Sequence, residues 1–195
     1  MKEHPPFRRL ALHACCGPCL LEPLDALVSQ AVEVVIVFSN SNIHPAEEYV
    51  RRRDTLLAYA EERGLRTVEL AYRPDEWLGE VAETGSREDR CSACYRHRLR
   101  ETARWAADHG CDSMATTLTV SPYQDADHIE VEAEQAAAVA GLVYGGRDFR
   151  DRYRAATARS RELGMYHQNY CGCVYSQEEA AQEREARRAE RRKGR

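Results

Sequence analysis

The sequence predicts an α/β fold, a single-domain parallel sheet with helices on both faces over residues 1–175. Three observations predict it. Apolar runs of strand length alternate with segments of helical period, and that order implies right-handed crossovers between parallel strands. Residues 32–38 are an almost unbroken apolar run, as in strands buried on both faces. A chain of 195 residues, 43% hydrophobic and 31% charged, is long enough for one well-packed domain and too short for two comfortable ones.

Taken in order, residues 10–14 read as a strand, 18–30 as a helix and 32–38 as a second strand. Asn40-Ser41-Asn42 is a turn signal. A helix then starts at Pro45, which suits a first helical position, and runs to residue 63. Glu47 and Glu48 each stand four residues ahead of an arginine, and Gly64 ends the helix. Residues 65–70 form a third strand, 91–109 a helix ended by Gly110, 113–118 a fourth strand and 125–140 a further helix. Ser176 and Glu179 have the spacing of a capping box, and residues 176–195 continue as a charged helical tail with little apolar face. That tail is expected to project or fray.

Charge and hydropathy exclude some classes. No stretch approaches the roughly 18 apolar residues of a membrane helix, and MKEHPPFRRL lacks the apolar core of a secretory signal. The expectation is a cytoplasmic protein with no membrane partner. The net charge of −4 does not advertise a nucleic-acid protein. Basic residues cluster, however, at Arg51, Arg52 and Arg53, over residues 147–161 and over 184–195, which permits an RNA partner without demanding one.

The eight cysteines carry most of the information. In a reducing compartment they read as metal-binding or redox thiolates rather than as disulfides. Cys15-Cys16-Gly17-Pro18-Cys19 falls where the first strand gives way to the first helix. Open α/β sheets bind ligands there, and a helix N-terminus favours thiolate. Cys91 and Cys94 are a C-x-x-C pair opening a helix, so both project from one side. Cys171-Gly172-Cys173, in an extended segment, puts two sulfurs on one face while Gly172 lets the backbone come close. Cys111 follows Gly110 and precedes a strand, the place of a small core residue.

A four-iron, four-sulfur cluster takes four thiolates, and so does a tetrahedral zinc. Either leaves three of the seven clustered cysteines over. Those three could hold a second, adjacent metal with an open position, suited to polarising a substrate oxygen. Spacing alone does not assign cysteines to the two centres. The triplet is expected to be divided between them, because adjacent Cys15 and Cys16 side chains should diverge. Three other readings stand beside this one. Cys16 and Cys19 alone spell the CGPC of thiol–disulfide oxidoreductases. A zinc-binding RNA-binding module would use the same ligands without catalysis. An ATP-dependent RNA-thiolating enzyme would need a phosphate-cradling loop after the first strand, where HACCGPC stands instead.

His13-Ala14-Cys15-Cys16-Gly17-Pro18-Cys19 and Ser39-Asn40-Ser41-Asn42-Ile43-His44-Pro45, with Glu48 and Tyr49, resemble the opening of the cobalamin-independent epoxyqueuosine reductases. Cys91-Ser92-Ala93-Cys94 with Arg98-Leu99, Thr116-Thr117-Leu118 with Ser121-Pro122, Asp148-Phe149-Arg150, and Tyr166 with Gln168-Asn169-Tyr170-Cys171-Gly172-Cys173 follow in the family's order. The resemblance implies reduction of the epoxide of epoxyqueuosine, at the wobble position of the anticodon, to queuosine, the last step of that pathway. It implies the fold of the nucleotide-binding ATP-pyrophosphatase (HUP-like) domains. It also implies a 4Fe-4S cluster beside a mononuclear iron, held by Cys15, Cys16, Cys19, Cys91, Cys94, Cys171 and Cys173. The implied partners are a tRNA carrying epoxyqueuosine and an external low-potential electron donor, not DNA. Three positions depart from the family: Ser41 where proline is frequent, Cys111 where an aromatic is common and His167 where arginine is usual.

Removing an epoxide oxygen as water takes two electrons and two protons. His13, Asp89, Tyr123 and Tyr170 stand beside the motifs as candidate proton donors, each open to a purely structural role. Residues 147–161, then Arg51 to Arg53, are the basic segments expected to guide the RNA.

Overall fold

The computed structural model describes residues 6–193. Residues 1–5 and 194–195 lie outside it, and with them the outer ends of both units expected from the sequence. Five strands, β1 (Phe7–His13), β2 (Ala31–Phe38), β3 (Arg66–Glu69), β4 (Ser113–Thr116) and β5 (Val143–Tyr144), form one sheet in the order β3-β2-β1-β4-β5. Every neighbouring pair is parallel. The strand order reverses at β1, so the crevice at the carboxyl ends of β1 and β4 is the topological switch point, where such sheets bind their ligands.

The two faces follow from the period of two along β1. Leu10 and Leu12 enter one core with Leu20, Leu24 and Phe149, beneath α1 (Gly17–Leu27), α2 (Ala46–Glu62) and α6 (Tyr153–Glu162). Ala11 enters the other with Leu99, Ile129 and Cys111, beneath α4 (Arg87–Asp108) and α5 (Ala126–Val139). Burying each large aliphatic or aromatic side chain stabilises the fold by about 1.5–3 kcal/mol. Cys111 thus lies in the core, remote from the other cysteines. A third cluster joins α3 (Pro74–Val81) to α4 by seating Trp77 against Cys94.

Several boundaries depart from the sequence reading for local reasons. Pro45 is extended and precedes α2 instead of opening it. α4 begins four residues before Cys91, because Ser86 caps it: its Oγ accepts the Asp89 N–H at 3.1 Å and donates to Asp89 Oδ2 at 2.7 Å. β4 stops at Thr116, whose Oγ1 accepts the Leu118 N–H at 3.2 Å as the chain turns into a 3₁₀ turn at Leu118–Val120. The tail is α7 (Val174–Lys193), and its first half does not project. Glu179 pairs with Arg90 at 2.5 Å and with Arg87 at 3.5 Å, and Arg90 stacks over Tyr175 at 4.5 Å. Among the described residues, no helix is long and apolar enough to cross a membrane.

Candidate metal centre

The motifs meet in one cleft of about 850 Å³ at the switch point. Cys15, Cys19, Cys91, Cys171 and Cys173 line it, while Cys16 and Cys94 are buried, at 1% and 7% exposure. The triplet comes from the β1–α1 junction, where Cys16 is the N-cap of α1 with Pro18 in its first turn. Gly17 lets this junction pack closely on α2, since a Cβ would lie 3.0 Å from Thr55 Cγ2. Cys91 and Cys94 come from the first two turns of α4. Cys173 ends the loop into α7 and caps that helix, its Sγ accepting the Ser176 N–H at 3.3 Å. The positive end of a helix dipole favours negative charge on sulfur at the start of α1 and α7, whereas Cys91 and Cys94 lie beyond the first turn of α4.

Within the triplet, the Cys15, Cys16 and Cys19 sulfurs lie within 4.8 Å of one another, and Cys15 Sγ is 3.8 Å from Cys16 Sγ. The expected divergence of Cys15 and Cys16 is therefore wrong: Cys16 is extended at the cap, and the turn into α1 brings the two sulfurs back together. Metal–sulfur bonds of about 2.3 Å in a tetrahedron set sulfurs about 3.8 Å apart, so this triplet has the size of a single-ion site. Hydrogen bonds from Cys16 and Cys19, then the Arg98 charge and Thr117, hold the Cys15 thiol well below its ordinary range. The same sharing pushes Cys16 up to about 12 and Cys19 well above its usual value.

Cys91, Cys94, Cys171 and Cys173 form the second group. Burial, then the charges of Cys171 and Cys173, push Cys91 up to about 11, and burial pushes Cys94 up to about 12 with the same two neighbours contributing. Desolvation and the neighbouring Cys173 charge likewise raise Cys171. Three thiols that resist ionisation beside one another, with Cys173 next to them, are the donor set of a cationic metal centre. Gly172 permits the group to close: its φ is +138°, and a Cβ would meet Arg52 Nη1 at 3.1 Å and Ile43 Cγ1 at 3.2 Å.

Polar groups around the sulfurs fit an anionic centre. Arg98 is 2% exposed, donates to Asn40 Oδ1 at 2.5 Å, and has no carboxylate partner among the described residues. Its charge reaches Cys15, Cys94 and Cys171, one or more sulfurs of each cluster. A buried guanidinium needs a compensating anion, and the thiolates are the groups placed to supply it. Gln168 Nε2 donates to Cys16 Sγ at 3.1 Å, and Gln124 Nε2 donates to Cys171 Sγ at 3.3 Å while its Oε1 accepts from Tyr95 at 2.8 Å. The buried Trp77 indole N–H has no oxygen partner and lies beside Cys94. The residues present fit an iron–sulfur cluster and a second ion.

The candidate proton donors separate. His13 lies beneath the cleft with Nε2 3.1 Å from the Ser39 carbonyl and Nδ1 2.9 Å from Thr116 Oγ1. Burial, then the Arg98 charge, lower its pKa to about 3, so it is neutral and holds β1, β2 and β4 together. Asp89 is occupied in capping α4, and the Tyr170 hydroxyl donates to the His44 carbonyl. Tyr123 remains, 79% exposed at the mouth with its ring edge-on to Tyr153 at 6.0 Å.

The basic segments also sort themselves. Arg52 is buried and pairs with Glu48 at 2.7 Å. Arg150, Arg152 and Arg159 pair with Asp148, Glu22 and Asp25, and of residues 147–161 Tyr153 reaches the cleft. Of the cations in these two segments, Arg52 lines the cleft and is tied to Glu48, and the others are not among its lining. Arg87, Arg90, Arg184 and Arg187 surround it instead, from α4 and from the tail whose composition pointed to solvent. Ser41, the proline departure, accepts the Arg73 N–H at 3.0 Å and so fixes the chain beside the site.

A family model described as "Epoxyqueuosine reductase QueH" matches residues 10–179. A protein of that description from Streptococcus pyogenes is 33% identical over 178 residues, covering 86% of this chain and 69% of its own. One from Dehalococcoides mccartyi is 32% identical over 172 residues, covering 88% of this chain and 93% of its own. Among solved structures, the U34-tRNA thiolase NcsA from Methanococcus maripaludis, determined with its [4Fe-4S] cluster, superposes with a TM-score of 0.55 at 15% identity. It covers 90% of this chain, which spans 64% of the thiolase's length. That likeness shows the fold, one of the ATP-pyrophosphatase-like type.

Proposed function

Because this chain belongs to the epoxyqueuosine reductase QueH family, we propose that it reduces the epoxide of epoxyqueuosine in tRNA to the alkene of queuosine. The epoxide oxygen leaves as water after two electrons and two protons have been added. The observation that carries this reading is the meeting of all three cysteine motifs at one cleft, five of their sulfurs lining it and one sulfur of each motif within reach of the Arg98 charge.

The compactness of the Cys15, Cys16 and Cys19 triplet supports a division of three and four. Cys91, Cys94, Cys171 and Cys173 would hold a 4Fe-4S cluster, and Cys15, Cys16 and Cys19 an adjacent mononuclear iron with one position open. When bound, the two centres supply single electrons at low potential and a Lewis acid for the departing oxygen. The chain's own residues do the rest. Arg98 balances the thiolate charge, Gln124 and Gln168 donate to sulfur, and Arg52 fixes the Cys171 loop through the carbonyls of Cys171 and Tyr170. Tyr123 and Tyr153 flank the entrance, where a base unstacked from an anticodon loop can lie against an aromatic face. An external low-potential donor supplies the electrons, in the cytoplasm.

Thiol–disulfide exchange through Cys16 and Cys19 is disfavoured. An attacking thiol should be exposed and acidic, whereas Cys16 is buried and pushed up to about 12. Anaerobically reconstituted protein is expected to be brown, to hold more than four irons per chain, with a Mössbauer signal beyond the cluster's, and to convert epoxyqueuosine in tRNA with a strong reductant. A single four-iron signal overturns the second iron. Zinc in protein purified without oxygen overturns the redox chemistry, and no conversion by metal-replete protein overturns the reaction.

A further inference from the structure

We propose that one face of α7 is an RNA-backbone clamp that extends the cleft outward; this rests on the tRNA reading above. α7 forms a wall of the cleft through Ser176, Glu179, Ala180, Glu183, Arg184 and Arg187. The same helix then runs away from the sulfurs with Arg184, Arg188 and Arg192 at successive i, i+4 positions. These three flank a shallow groove of about 450 Å³ that also holds Ala181, Ala189 and one carboxylate, Glu185.

Apart from Arg98, which is buried against the thiols, and Arg184, the cations lining the cleft are already engaged: Arg87 and Arg90 with Glu179, Arg187 with Glu183, Arg52 with Glu48. Among the described residues, Arg188 and Arg192 have no ion-pair partner, and Arg184 reaches the Asn169 carbonyl at 3.4 Å. The helix dipole favours a cation in the last turn, which accounts for Arg192 but for neither Arg184 nor Arg188. Like charges four residues apart repel one another along a helix, so the stripe opposes the helix that carries it. A polyanion laid along the groove removes that repulsion. The guanidiniums rise about 6 Å apart along the axis, on the scale of successive phosphates in a nucleic-acid strand. The stripe is continuous with the cleft wall, so an RNA strand held on it leads a splayed base to the thiols.

The test compares metal-replete full-length protein with the triple variant Arg184→Gln/Arg188→Gln/Arg192→Gln. Fluorescence anisotropy measures binding of an unmodified anticodon stem–loop RNA at several salt concentrations. The variant is expected to bind at least tenfold more weakly at low salt. Its log–log salt slope should flatten by about two to three, near one per lost phosphate contact, with the iron–sulfur absorbance unchanged. Unchanged affinity and slope in the variant, with wild type converting substrate, overturn the clamp alone and mark the stripe as a solvated face. Weakened, flattened binding by a protein that converts no epoxyqueuosine supports the clamp and overturns the reductase reading. Wild type without affinity for the stem–loop overturns the clamp whatever its turnover.

Discussion

Arg52 Nη1 donates to the Cys171 carbonyl at 2.7 Å, joining α2 to the last cysteine motif across 119 residues of sequence. Its Nη2 donates to the Tyr170 carbonyl at 3.1 Å and its Nε to Glu48 Oε1 at 2.7 Å; Glu48 in turn accepts from the Tyr166 hydroxyl at 2.6 Å. One buried guanidinium thus fixes the backbone that presents Cys171 and Cys173. Lysine has no planar fork to reach three acceptors. Arg52→Lys is expected to keep the fold and lower the iron retained per chain. Arg52→Ala, which strands Glu48 in the interior, should destabilise by about 3–5 kcal/mol in denaturant unfolding. Full iron retention by Arg52→Lys would show that the loop is held by other contacts.

How far this site was legible in the sequence follows from such links. The triplet was readable because strand-to-helix junctions of an α/β chain fall at the carboxyl edge of the sheet, and local pattern places β1 and α1. The capping pair Ser86 and Asp89 was equally local and was passed over, which put the start of α4 four residues late. Arg52 and Arg98 were not legible as site residues: in sequence they sit among other arginines, and burial comes only with the tertiary packing of α2 and α4. β5 is two residues long, and α6 buries only Ala156 and Ser160, too little period for either to announce itself.

The division of the cysteines predicts distinct losses. Cys94→Ala should remove about four irons per chain and Cys19→Ala about one, if the four-thiolate and three-thiolate groups hold separate centres. Cys111→Ala should leave the iron content alone and cost about 1 kcal/mol or less in stability. Iron analysis with Mössbauer spectroscopy reads all three. Equal losses from Cys94→Ala and Cys19→Ala would mean that one centre draws on both groups.

His13 gives a pH dependence with a fixed sign. Its folded pKa is lowered to about 3 while the unfolded chain keeps the ordinary histidine value of 6.5, so between these values the unfolded state binds the extra proton. Stability from His13 is full above about pH 6.5 and falls as the pH drops, by about 1.4 kcal/mol per unit. Denaturant unfolding of wild type against His13→Asn, which does not titrate, should show the wild-type advantage shrinking from pH 7 to pH 5. A constant gap would mean that folding leaves the His13 pKa unshifted, and a gap that widens towards pH 5 that the fold holds His13 protonated.

Tyr123 separates stacking from proton transfer. Its ring is exposed at the mouth, edge-on to Tyr153, and its hydroxyl is the one left unengaged among the four candidate donors. Tyr123→Phe keeps the platform and removes the acid, so unchanged RNA affinity with slower single-turnover conversion would assign it proton transfer. Tyr123→Ala removes both, and base stacking on an aromatic is worth about 1–3 kcal/mol. The ring's place at the entrance, farther out than the thiols, favours stacking: Phe is expected to retain both binding and rate, and Ala to lose affinity by about tenfold or more. Equal affinity in all three proteins would take the tyrosine out of the RNA path.

Arg98 makes the most direct electrostatic prediction. It is buried, fixed by Asn40 and the Ser39 carbonyl, and close enough to Cys15, Cys94 and Cys171 to shift all three. Adding an electron to a thiolate-bound cluster increases its negative charge, and a nearby cation stabilises the reduced state more than the oxidised one. Arg98→Gln keeps a donor towards Asn40 and deletes the charge, so the reduction potential should become more negative. Each 1.4 kcal/mol of lost attraction corresponds to about 59 mV for one electron. Redox titration of the reconstituted cluster checks this directly, and Arg98→Lys should lie between Gln and wild type because the ammonium keeps the charge without the fork. A potential unmoved by Arg98→Gln would mean that solvent, not the guanidinium, screens the cluster.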